Sequence, residues 1–161
     1  MRKGLEIICL AGLASIFGIT WQAFNGPVSL PARVPTHFDA VGNANAWGPP
    51  STLWFLPAIA TALYLFITLI SLLPTRIRKA ANLSPECRAR METLTHQMVA
   101  WIKLELICLF VWIQWSILDA VRQGEGNLSP LAVPIFIAAI LVTMSLHAVA
   151  IIHAARAGAL S

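Results

Sequence analysis

Residues 53–73 read LWFLPAIATALYLFITLISLL, twenty-one positions without a charge. As a helix rising about 1.5 Å per residue, such a run covers the roughly 30 Å of a bilayer's hydrocarbon layer. Lipid offers no partner for an unpaired peptide group, so the run must bond to itself as a helix. Its one proline, Pro57, falls in the first turn, where a missing N–H costs least. Three further runs have the same character: Ile7–Phe24, Met98–Leu118 interrupted by Lys103 and Glu105, and Leu131–Ile152 behind the cap and helix-starting proline Ser129-Pro130. The spacing predicts spans at about 4–24, 52–73, 98–120 and 131–153. The 161 residues are 58% hydrophobic and 11% charged, against about 25% charged in a soluble domain. The expected fold is an all-α membrane protein, a four-transmembrane-helix bundle forming a single polytopic domain over 1–161. Disordered, collagen-like and two-domain architectures are excluded by composition and length.

The basic residues set an expected orientation, because positively charged loops stay in the cytoplasm. With the N-terminus inside, that side holds Arg2, Lys3, Arg76, Arg78, Lys79, Arg88, Arg90 and Arg156, and the outer loops hold only Arg33 and Arg122. The first span reads as an uncleaved anchor, since Glu6 intrudes at its start and no small-x-small cleavage site follows. The net charge of +4 is accordingly read as topology and contact with the lipid bilayer, and nucleic acid is not an expected partner. In the cytoplasmic connection 74–97, Ser84-Pro85-Glu86 has the form of an N-cap, a proline at N1 and an acid in the first turn, which starts the third helix at about 85.

Residues 25–51 form the other long connection, extracytoplasmic in this orientation. Pro27, Pro31, Pro35, Pro49 and Pro50 with Gly26, Gly42 and Gly48 make a regular helix unlikely to persist, while Val34, Phe38, Val41 and Trp47 could pack the loop down as an ordered Pro/Gly-rich cap. Prolines stiffen Arg33–His37, and Gly42 is expected to supply a positive φ for the return turn. His37 and Asp39 lie on one side of an extended chain. They could hold a cation or polar ligand together, or tie the loop together through backbone groups.

The stretch Leu30-Pro31-Ala32-Arg33-Val34-Pro35-Thr36-His37-Phe38-Asp39-Ala40-Val41-Gly42, followed by Ala46-Trp47-Gly48, resembles a bacterial membrane domain of unknown function. That domain is best known from the N-terminal part of the SdpI-type immunity proteins, which protect a cell from its own secreted peptide toxin and sequester a transcriptional repressor. Asn82-Leu83-Ser84-Pro85-Glu86-Cys87-Arg88, with Met98 and Trp101-Ile102-Lys103 beyond, is similar to shorter relatives that possess this domain alone. The resemblance implies a bacterial inner-membrane location and a binding, sensing or immunity-type role. Its ligand would be a peptide or small molecule outside the cell, with His37, Asp39 and Trp47 as contacts.

Charge at membrane depth costs about 2.5–3.5 kcal/mol and marks a candidate site. Glu6, Lys103, Glu105 and His147 could meet in one intramembrane polar cluster; alternatively Lys103 snorkels to the headgroups with Glu6 paired to it. On the third helix Trp101, Glu105, Cys108, Trp112, Trp115 and Asp119 share a face, which could line a cavity or, as favoured here, pack within the bundle. Ala11-x-x-x-Ser15 and Ala14-x-x-x-Gly18 offer small-residue positions for close helix contact. No catalytic or metal motif is present in the sequence, a buried haem is not expected, and the three cysteines read as reduced thiols. The expectation is therefore a non-enzymatic membrane protein without cofactor or metal. Alternatives are an accessory subunit of a larger membrane complex and, more weakly, a small transporter or intramembrane enzyme using Glu105, Lys103 and His147.

Overall fold

The computed structural model describes residues 2–27, 29–72, 84–123 and 128–159. Arg76, Arg78 and Lys79, and the Asn82-Leu83 pair of the second resemblance, lie outside the described residues. Four helices carry the chain: α1 (Arg2–Asn25), α2 (Phe55–Leu72), α3 (Pro85–Gln123) and α4 (Ala132–Ala159). All four are long and apolar enough to cross a membrane, α2 counted together with the 3-10 turn Pro50–Trp54 that leads into it. By length and composition this is a multi-pass membrane protein.

Helix α3 organises the rest. Ser84 caps it, its Oγ accepting from the Cys87 amide at 3.2 Å, and Glu86 in the first turn and Arg122 in the last both suit the helix dipole. Its 39 residues reach about 58 Å at 1.5 Å per residue, nearly twice the hydrocarbon thickness. The stripe Lys103, Ile107, Gln114 and Ile117 is buried against α1 and α2. Cys9, Leu13, Ile16, Ala60 and Ile107 form one apolar cluster there, and Ala23, Val34, Leu53, Ile117 and Leu118 a second nearer the hairpin. The close contact of α1 with α3 falls at Gly12, where a Cβ would lie 2.5 Å from Ile107 Cγ2. The predicted small-residue positions Ala11, Ala14, Ser15 and Gly18 are exposed instead; they sit to either side of the contact line.

Helix α4 packs mainly on α3, with no comparable packing on α1 or α2. The four helices thus form no closed square: α3 is the hub, and α4 is a flanking helix with most of its apolar side chains exposed. At its far end the Cys87 thiol donates to the Ala154 carbonyl at 3.1 Å, tying the start of α3 to the end of α4.

Between α1 and α2 the chain forms an antiparallel hairpin, β1 (Val34–Phe38) and β2 (Ala44–Gly48). The register runs Val34↔Gly48, Pro35↔Trp47, His37↔Ala46, Phe38↔Ala44, so Thr36 and Asn45 are each left out of the pairing. In a two-stranded ribbon both strands are edges, which is why Pro35 is tolerated. Buried Val34 anchors the hairpin in the second apolar cluster.

Candidate functional site

Asp39 builds the hairpin turn. Its Oδ1 accepts from the amides of Val41 at 3.0 Å and Asn43 at 2.9 Å, and its backbone exchanges bonds with Asn43 and Gly42. Gly42 closes the turn at φ +89. Its carbonyl accepts from the Leu128 amide at 2.7 Å, and a Cβ added there would lie 2.0 Å from the Leu128 carbonyl oxygen. The turn is thereby docked on the segment that leads into α4, a position only glycine fills.

His37 is exposed on β1, with Nδ1 2.6 Å from Asn45 Oδ1. An amide oxygen only accepts, so Nδ1 carries the hydrogen and a neutral ring presents Nε2 as an acceptor. His37 and Asp39 both line a cavity of about 520 Å³. Its other walls are Leu56 of α2, Trp112, Ile113 and Ile117 of α3, and Val133 and Pro134 of α4. The hairpin is a roof over a cleft floored by α3 and flanked by α2 and α4. Trp47, the third predicted contact, is 50% exposed opposite Pro35 and lies outside the cleft lining.

The four ionisable residues that could have met in one pocket are divided instead between two faces of α3. Lys103 and Glu105 are two positions apart, which turns them about 200° from one another on a helix. Lys103, 2% exposed, pairs with Glu6 of α1. Its Nζ also donates to Thr68 Oγ1 at 3.2 Å and lies 4.9 Å from the centre of the Tyr64 ring, and the Tyr64 hydroxyl donates to Glu6 Oε2 at 2.8 Å. This cluster joins α1, α2 and α3, and Lys103 is held inside it where snorkelling would have exposed the ammonium. On the opposite face, Glu105 Oε1 accepts from Thr143 Oγ1 of α4 at 2.5 Å, and its Oε2 is buried with no hydrogen-bond partner among the described residues. His147 donates from Nδ1 to the Thr143 carbonyl at 2.9 Å, so its link to Glu105 runs through Thr143.

The aromatic stripe on α3 splits as well. Trp101 and Trp112 are half-buried, while Cys108 and Trp115, the latter 53% exposed, border an open groove beside α1 lined also by Gly12 and Ser15. Packing therefore accounts for only part of it. Nearer the hairpin, Gln114 is fully buried and its Nε2 donates to Thr20 Oγ1 at 2.8 Å and the Leu53 carbonyl at 3.3 Å, stitching α3 to α1 and the 3-10 turn.

The hairpin, the 3-10 turn and the helix ends they join behave as one unit, with Val34, Leu53 and Ala23 in a common core. Residues 10–61 match DUF1648, a domain of unknown function. The DUF1648 segment contains His37, Asp39, Gly42, Asn45 and Trp47, and excludes Glu6, Tyr64, Lys103, Glu105 and His147. The hairpin site thus lies within the matched segment, whereas the intramembrane bonds need the helices beyond it. No curated protein and no solved structure was found to match the chain.

Sequence reasoning missed Tyr64, Thr68, Thr143 and the Gln114–Thr20 bond. The available signal was polarity inside the spans: Tyr64 is the only tyrosine in the chain, and Tyr64 and Thr68 stand four apart on one face of α2.

Proposed function

We propose that the chain is a bacterial inner-membrane binding or sensing module of the SdpI-like kind, acting without catalytic turnover. Both ends face the cytoplasm and the DUF1648 hairpin faces outward, where it takes a peptide or small molecule. One observation carries this reading: a polar edge of His37 and Asp39 over a mainly apolar cleft of about 520 Å³, the composition of a ligand pocket with a few orienting polar groups. The ring of His37, oriented by Asn45, is the orienting group of that pocket.

The test is purification of wild type and His37→Ala from native membranes in mild detergent, followed by mass spectrometry of what each retains. The reading expects a compound held by wild type and lost from the variant at equal expression and thermal stability. Identical retention in both discards it. An accessory-subunit role is the second reading, favoured by the open groove that Gly12, Ser15, Cys108 and Trp115 leave between α1 and α3. It expects a partner membrane protein in fixed stoichiometry in the same preparation.

A further inference from the structure

We propose that the cleft beneath the hairpin takes a membrane-borne amphiphile with an apolar tail and an uncharged or cationic head, admitted sideways from the bilayer between α2 and α4. This rests on the binding-module reading and names its ligand class. Three observations point to it. The first is access. Helices α2 and α4 each pack on α3, with no comparable packing on one another, yet Leu56 of α2 and Val133 of α4 wall the same cavity. The cleft therefore has a floor, two flanks and a roof, with a gap left between α2 and α4; beside Leu56 the residues Phe55 and Ile59, and beside Val133 the residues Leu131 and Ile135, are all exposed.

The second is depth. Leu56 lies in the first turn of α2 and Val133 in the first turn of α4, so the cleft sits where the spans begin. A tail against Ile113 and Ile117 would remain in the apolar layer while its head reaches the polar groups of β1. A pocket of about 300–1,000 Å³ suits a small ligand, so about 520 Å³ holds a single chain and head and not a folded peptide.

The third is charge. Among the described residues, Asp39 and His37 are the ionisable ones of the lining, with no lysine or arginine beside them. The Asp39 carboxylate repels an anionic head and attracts an ammonium, and the acceptor Nε2 of His37 suits a hydroxyl or N–H donor.

The experiment uses the whole protein in phosphatidylcholine nanodiscs with three photoactivatable probes. They share one diazirine-bearing alkyl tail and differ in head: primary amine, alcohol or carboxylate. Crosslinked residues are mapped by mass spectrometry. The proposal expects amine and alcohol adducts concentrated on cleft residues, with the carboxylate probe about fivefold weaker there, the scale of one accessible charge pair. Val133→Trp, which fills the cleft from an exposed position, removes the adducts. Asp39→Asn keeps an Oδ1 acceptor for the turn amides and lowers the amine signal about fivefold while sparing the alcohol.

Adducts spread evenly along α2 and α4, or a carboxylate probe labelling the cleft as strongly as the amine, overturns the proposal. If that happens while native purification still yields a compound lost in His37→Ala, the binding module stands and its ligand is water-borne. If nothing is retained either, both fall.

Discussion

Lys103 and Glu6 illustrate what a charged residue within a span requires. Neither could be afforded alone in lipid; Tyr64 and Thr68 add hydrogen bonds to the pair. Removing one member of a buried ion pair costs about 3–5 kcal/mol. Lys103→Met is accordingly expected to lower the thermal midpoint in detergent sharply, and Glu6→Gln/Lys103→Met to recover much of the loss; a double-mutant cycle with no coupling would contradict the cluster. At Gly42 the cost is steric. A side chain there meets left-handed backbone, about 1–2 kcal/mol, and the Leu128 carbonyl. Gly42→Ala should therefore destabilise by about 2 kcal/mol or more and speed hydrogen exchange of the Leu128 amide. The positive φ at Gly42 was legible from a lone glycine among turn formers. Its contact with Leu128 was not, since nothing local marks two segments more than eighty positions apart as neighbours.

Among the elements, the helices were the readable part, because lipid demands long apolar runs and leaves little choice of structure. Ser84-Pro85-Glu86 stands where α3 begins. The hairpin was harder: VPTHF and ANAWG lack clean alternation, Pro35 argues against a strand, and two irregular pairings shift the register. Helix contacts were harder still. The residue that matters between α1 and α3 is Gly12, and one glycine among several small residues carries no directional signal. The consequence is measurable in the thiols. Cys108 is exposed beside the groove, whereas Cys9 and Cys87 are buried. A membrane-permeant maleimide should modify Cys108 first in native protein, with Cys9 and Cys87 following only on unfolding. Gly12→Leu, which wedges α1 from α3, should bring Cys9 into reach.

For the molecule as a whole, the proposed orientation makes a direct prediction. With the native cysteines replaced, a cysteine at Trp47 should react with an impermeant maleimide in intact cells, and one at Glu86 only after lysis. The reverse pattern inverts the topology. The candidate site was legible in part: His37 and Asp39 border one cleft, and Glu6 pairs with Lys103 as one reading had it, but the other reading, a single pocket for Glu6, Lys103, Glu105 and His147, gave way to two separate clusters. Depth along a helix can be counted from sequence, whereas the neighbour that each face meets depends on tertiary packing.

One consequence of the length of α3 is mechanical. A single unbroken rod begins at Pro85, passes through both polar clusters and ends beneath the hairpin. It has no joint to absorb displacement, so each degree of tilt about one end carries the other through about 1 Å. A wedge under the roof would thus be felt as leverage at the opposite membrane face.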